Sequence, residues 1–449
     1  MPHRLGRVSP RSREWREFCS LRFAQRFSAN RLVAAYSTQS IRCETGMVNL
    51  GVYSLTSVKL VVAMSLDFAA LELEFHRAGA VAMLAATAEQ LKLEKKYHEL
   101  FEALKMQVRH RLGLPLLSGE SSSDDLPEAT RMQLEEGLID ACRQVGELLL
   151  RAGRVREGWM YFRPVGDKTR VAELIANITP DEDNAEELIE VLLHESVDTA
   201  RGFQLLLDIN GTCNAITTFD QVIAGRPKKE RQAAASALLR RVHSELVSNV
   251  MADIARQEGV TPASVAPAEP ALAALIADRD WLFAEGAYHI DTTHLAAVVR
   301  MARVLEDPRE LQLAFDLTEY GRRLSPQLQY EGDEPFLEQY PANALFFQAL
   351  LGKQTAEAIQ YFSDKAHLLE PQYHGTEPLE VYLDLLTRLQ QPAIALQEAL
   401  AMIPTSVPFS AYAPMLLNLC QQAENYSGML DFCRSRQDVL GFAAALVKR

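Results

Sequence analysis

The chain has 449 residues, room for about three domains by length alone. Its 48% hydrophobic and 23% charged residues exclude disorder over most of that length, and 22 glycines with 20 prolines exclude a collagen-like or low-complexity chain. Forty-six basic against 59 acidic side chains, a net of −13, argues against a protein whose main task is to wrap nucleic acid.

Charge is unevenly spread from the start. Residues 1–63 carry nine arginines and Lys59 against Glu14, Glu17 and Glu44, a net of +7 that leaves −20 for the remainder. A secretory signal would need a longer apolar run than LVAAY at 32–36. An organelle transit peptide, Arg- and Ser-rich and poor in acids, fits residues 1–45. A third reading has translation begin at Met64, where the composition changes. All three place 1–63 outside the folded body, as a basic leader. The apolar run VKLVVAM at 58–64 is far below the ~18–20 residues of a membrane span, so no membrane partner is expected. Cys19, Cys43, Cys142, Cys213, Cys420 and Cys433 are scattered and form no CxxC; they read as reduced, mostly buried thiols of a cytoplasmic protein.

From Met64 onward the apolar spacing is helical, and no βαβ unit is legible, so the expected fold class is all-α. Helical spacing covers 66–78 and 80–111. The polar stretch SGESSSDDLPE at 118–128 predicts a loop, and a helix over about 128–151 should stop at Ala152 and Gly153. Thr179, Pro180 and Glu182 predict a capping box at the start of a helix whose apolar stripe is Leu188, Val191 and Leu192. The longest element should run from about 228 to 258, with Leu239, Val242, Leu246, Val250 and Ile254 on one stripe and Gly259 ending it. The stretch GVTPASVAPAEP at 259–270 predicts a linker, dividing an N-terminal helical domain (64–258) from a C-terminal one (271–449).

The C-terminal half reads as short helices with weak self-similarity. Tyr97 is followed by Leu100 and Phe101, and Tyr426 by Met429 and Leu430. Ala152 and Gly153 lead into Trp159, Tyr161 and Phe162, while Leu351 and Gly352 lead into Ala358, Tyr361 and Phe362. A fifth segment runs from Leu389 through Ala393 and Ile394 to Glu398, Ala399 and Leu400. These stretches, at 91–110, 146–165 and 345–449, resemble degenerate tetratricopeptide repeats (TPR-like). The units are not spaced at a constant 34 residues, and the Gly352 unit has one extra residue before Ala358. The resemblance implies helical hairpins stacked as an α-solenoid, and a role in binding a protein or peptide.

Signatures of chemistry are sparse. There is no GxxxxGK[ST], GxGxxG or GxSxG, and no cofactor is implied. His194 and Glu195 begin a zincin-like pattern, but Asp198 stands where the second His would be needed. His289, Asp291 and His294 are of metal-compatible types, and a loop entering a helix can converge them; equally, Asp291 or Thr292 would cap that helix with His294 in its first turn. Arg226, Lys228, Lys229 and Arg231, with Arg240 and Arg241 beyond, lack interleaved aromatics and read as a solvated face. Trp159, Tyr161, Tyr361 and Phe362 either line a partner groove or pack between helices. The leading expectation is a non-enzymatic scaffold for a protein or peptide, with no nucleic acid. The alternative is an enzyme of an all-α class with its site around His289, Asp291 and His294.

Overall fold

Every regular element among the described residues is helical. The computed structural model describes residues 68–117, 126–260, 272–403 and 409–449. The expected leader at 1–63 lies outside them, as do most of the expected loop at 118–128 and most of the expected linker at 259–270. In chain order the helices are α1 (Phe68–Leu93), α2 (Tyr97–Arg111), α3 (Glu128–Arg151), α4 (Val155–Val165), α5 (Lys168–Ile175), α6 (Ala185–Ile189), α7 (Thr199–Thr218) and α8 (Lys228–Glu258). They continue with α9 (Leu272–Ile276), α10 (Thr292–Met301), α11 (Pro308–Arg323), α12 (Gln339–Leu350), α13 (Thr355–Leu368) and α14 (Pro371–His374). The last five are α15 (Glu377–Arg388), α16 (Pro392–Met402), α17 (Phe409–Gln422), α18 (Ser427–Ser435) and α19 (Val439–Lys448). No helix among the described residues is long and apolar enough to cross a membrane.

The chain divides into two compact units between Asp198 and Thr199, not at 259–270. The reason is α8. Its stripe Leu239, Val242, Leu246, Val250 and Ile254 is fully buried, and the helix packs on α7 before it and on α10 and α11 after it. The sequences on both sides of 259–270 thus share one core, organised on a helix of 31 residues, about 46 Å long.

One turn recurs between consecutive helices. A residue in the left-handed region is followed by a backbone N–H that donates to a carbonyl five residues back, which is the Schellman closure of a helix end. Lys96 N donates to Leu91 O (2.9 Å) after Lys95 (φ 57°), and Arg154 N to Leu149 O (3.0 Å) after Gly153 (φ 78°). Lys353 N to Gln348 O (2.8 Å) follows Gly352, and Gln391 N to Leu386 O (2.9 Å) follows Gln390. Asn425 N to Cys420 O (3.0 Å) and Asp438 N to Cys433 O (2.9 Å) close the last two, after Glu424 and Gln437. Each of the five self-similar sequence segments sits at one of these turns. The sixth, at Gln437, has no glycine or proline to announce it.

Sequence and structure also part at two helix boundaries. The helical pattern over 80–111 is cut at Lys95, because the turn there needs only one left-handed residue and lysine supplies it. Near 180 the helix starts at Ala185, not after Thr179. Asp181 folds the segment into a local turn instead, its Oδ1 accepting from Asp183 N (3.0 Å) and Asn184 N (2.9 Å), while Asn184 Nδ2 donates to Thr179 O (3.1 Å).

Candidate functional site

In the N-terminal unit the aromatic residues pack between helices. Phe162 is fully buried, and a Cβ on Gly146 would lie 2.6 Å from its ring. Conversely, a Cβ on Gly158 would lie 2.5 Å from Leu150 Cγ and 3.0 Å from its backbone nitrogen. Two glycines therefore let α3 and α4 interlock. Tyr161 is buried against Phe101 (ring centroids 5.0 Å apart), with its hydroxyl 2.9 Å from His98 Nδ1; His98 Nε2 in turn meets Glu157 Oε2 at 2.7 Å. Trp159 is buried too, and its indole N–H has no hydrogen-bond partner among the described residues. Trp159 and Tyr161 are thus both buried in helix packing. Glu195, from the zincin-like pattern, is ion-paired with Arg163.

The histidine cluster of the second unit is spread over separate structural tasks. The His289 side chain is 7% exposed, with its backbone N–H donating to Tyr320 Oη (2.8 Å), Nδ1 2.9 Å from the same oxygen and Nε2 3.2 Å from Asp253 Oδ2. A single proton assignment satisfies all three contacts: Nε2–H donates to Asp253 and the tyrosine hydroxyl donates to Nδ1. Asp291 caps α10, accepting from Thr293 N (2.9 Å), Thr293 Oγ1 (2.6 Å) and His294 N (3.2 Å). The hydroxyl of Thr293 chiefly, and the two backbone N–H groups after it, hold the Asp291 carboxyl below its ordinary range. His294 lies in the first turn of α10. Among the described residues no three His, Cys, Asp or Glu side chains converge as a metal centre. The basic stretch meets carboxylates: Lys228 pairs with Glu306 (2.6 Å), Arg240 with Glu310 (2.7 Å) and Arg241 with Asp208.

The arrangement with chemical potential lies further along the same helix, α10. A cleft of about 280 Å³ opens between α10, the segment from Tyr330 to Asp333, and the start of α15. Arg303 lies in the short helical turn after α10 and lines this cleft. Its guanidinium carbon stands 3.4 Å from the centroid of Phe336, and Nε donates to Asn343 Oδ1 (2.7 Å). Asn343 and Gln339 are buried on the first turns of α12, with Asn343 Nδ2 donating to Gln339 O (2.7 Å) and Gln339 Nε2 to Ala296 O (2.6 Å). That network fixes α12 against α10. Burial pushes the Arg303 guanidinium down to about 9, so it is still charged at neutral pH.

The expected partner-binding residues Tyr361 and Phe362 stand behind this cleft, not in it. Phe362 is fully buried between Phe336 (5.3 Å) and Phe346 (5.7 Å). The Tyr361 hydroxyl donates to Pro335 O (3.2 Å), and Lys365 Nζ binds both oxygens of Glu334 (2.8 and 2.7 Å). Three neighbouring residues of α13 therefore hold the loop whose Phe336 carries Arg303. Sequence reading missed Arg303 because a lone arginine at a helix end is ordinary. Its setting depends on Phe336 and Asn343, which are 33 and 40 residues away in the chain and carry no pattern of their own. Set against known proteins, the chain matches no family model, no curated protein and no solved structure.

Proposed function

We propose that this chain is a non-enzymatic, TPR-like helical-repeat scaffold of the cytoplasm that binds a protein or peptide partner. The observation that carries the reading is the turn closed the same way at Lys95, Gly153, Gly352, Gln390, Glu424 and Gln437, each joining a helix to the next. Helices that pack on their sequence neighbours through one repeated turn are the building plan of repeat proteins, which present surface and not a catalytic pocket. The small-residue contacts at Gly158 and at the fully buried Ala358 and Ala395 fit the same plan, since close helix pairs need small side chains.

The enzyme reading gains less support. His289 and Asp291 already spend their polar atoms inside the fold, on Tyr320, Asp253 and the first turn of α10. Cross-linking of the full chain in its native cell, read by mass spectrometry, tests the scaffold. The expected result is a small, reproducible set of proteins linked to fixed lysines of this chain. Recovery of nothing beyond abundant background proteins would remove the scaffold reading.

A further inference from the structure

We infer that the Arg303 cleft is a binding site for a carboxylate flanked by cationic groups, presented by the protein or peptide of the scaffold reading, on which this inference rests. The argument begins with two sheltered arginines that differ in what they satisfy. Arg388, on α15, donates through Nη1 to Arg303 O (2.6 Å), through Nη2 to Leu305 O, and lies 3.4 Å from Asp384 Oδ2. Its donors are used inside the fold, and its role is to clamp the turn that carries Arg303. Arg303 is as sheltered, yet it has one side-chain hydrogen bond, through Nε, and the carboxylates of Glu377 and Asp333 act on it through space without closing an ion pair. A guanidinium brings five N–H donors, and a buried charge is ordinarily paired. Phe336 covers one face of Arg303, and Arg303 also lines the cleft.

The surroundings select the anion. Arg300, the other arginine of the cleft, is occupied by Asp220, with Nη2 3.0 Å from each carboxylate oxygen. Glu331, Asp333 and Glu377 are exposed at the rim. The site thus has a positive floor and a negative edge. Either anion meets three like charges on entry, but a phosphate dianion is repelled about twice as strongly as a carboxylate, whose single charge lies in a plane that matches the guanidinium fork. Cationic groups beside that carboxylate would fall against the rim. At about 280 Å³ the cleft is below the usual range of ~300–1,000 Å³ for sites that enclose a drug-sized ligand, so it takes one charged end and not a whole cofactor.

Three N-acetylated, lysine-containing hexapeptides test this on the full chain by isothermal titration calorimetry. One ends in a free carboxylate, one in an amide, and one in an amide with a single internal glutamate. The expected result is that a carboxylate peptide binds roughly tenfold or more tighter than the plain amide, as loss of a charge-assisted hydrogen bond would give. Preference for the free acid identifies a chain terminus as the source, and preference for the glutamate peptide a side chain. Arg303→Gln should erase the difference. Because that variant also touches Phe336, Glu331→Gln with Asp333→Asn on the exposed rim gives a second reading: it should weaken the lysine-flanked peptides and spare the same peptides with lysines replaced by alanine. Equal binding of all three peptides, no binding of any, or displacement by inorganic phosphate at concentrations where acetate has no effect would each overturn the carboxylate site. Cross-links in the native cell that converge on another surface, with no peptide binding here, would sink this inference and leave the scaffold reading standing.

Discussion

In the hairpin of α3 and α4, Phe162 fills the space left by Gly146, and Leu150 fills that left by Gly158. In the hairpin of α12 and α13, Phe362 meets instead two large rings, Phe346 from α12 and Phe336 from the loop before it. Both hairpins close through the same turn, and both carry a Tyr–Phe pair in the second helix. Their interiors are solved differently. Glycine lets the first pair of helices approach until nothing else fits between them, and its tyrosine turns to a neighbouring histidine. The second pair admits a side chain from outside the hairpin, and the loop attached to that side chain becomes the wall of a cleft. One repeated unit can therefore seal or host, and the choice rests on what occupies the space beside one phenylalanine.

The largest effect should come from removing that phenylalanine where it is interlocked. Phe162→Ala should cost about 3–5 kcal/mol, the usual loss for a buried aromatic whose cavity cannot collapse. Hydrogen exchange should show the loss in α3 and α4, with protection of 330–339 unchanged. Equal loss in both places would mean that the two hairpins are not energetically separate. A smaller effect follows in the second hairpin. Ala358 is fully buried and Ala356 exposed on the same helix, so Ala358→Leu should overpack and cost about 1–3 kcal/mol while Ala356→Leu is nearly neutral. Urea midpoints for the two variants that agree within error would break the comparison on the α13 side.

Much of the helical content was legible because it depends on local spacing. Residues 128–151 and 228–258 obey a single period with glycine beyond the end, and the structure gives Glu128–Arg151 and Lys228–Glu258. Turns were legible where glycine marked them, at Gly153 and Gly352, and at Gln390, where Pro392 follows; Lys95 and Gln437 take the same backbone conformation with no such mark. Facing was partly legible: Ala358 against Ala356 could be assigned from the repeat rhythm. The cleft was not. Arg303, Phe336 and Asn343 meet only through tertiary packing, and a sequence shows an unpaired arginine no differently from a paired one. Tyr361 and Phe362 support the cleft wall from behind, through Pro335 and Phe336, contacts that residue type and spacing do not announce.

Asp291 gives the next test, because it caps the helix that forms another wall of the cleft. Asp291→Ala should cost about 1 kcal/mol, within the 0.5–2 range for a lost N-cap, and Asp291→Asn much less, since an amide oxygen still accepts from Thr293 and His294. Folded, the carboxyl is held below its unfolded value near ~3.9. Its stabilisation is therefore complete above that value and is lost as pH falls through the folded one. Urea titrations between acid and neutral pH should show this slope in the natural protein and its absence in Asp291→Asn. An undiminished slope in the variant would assign it to another carboxylate.

The smallest expected effect sharpens the comparison most. Tyr361→Phe removes only the hydroxyl that donates to Pro335 O, while the ring keeps its edge contact with Phe362 at 5.0 Å. A hydrogen bond of this kind contributes about 0.5–1.5 kcal/mol, so global stability should fall little. Lys365 still holds Glu334 at the next turn of α13, so the loop stays attached at one of its two tethers. The corresponding change in the first hairpin, Tyr161→Phe, removes the contact with His98 in a place that supports no loop. If hosting depends on the tethered loop, Tyr361→Phe should raise exchange at 330–337 and weaken binding of the carboxylate hexapeptide, whereas Tyr161→Phe should leave both unchanged. Loss of stability without any change at 330–337 would show that Phe336, wedged between Phe346 and Phe362, positions the wall alone, and that the tyrosine serves the hairpin as it does in α4.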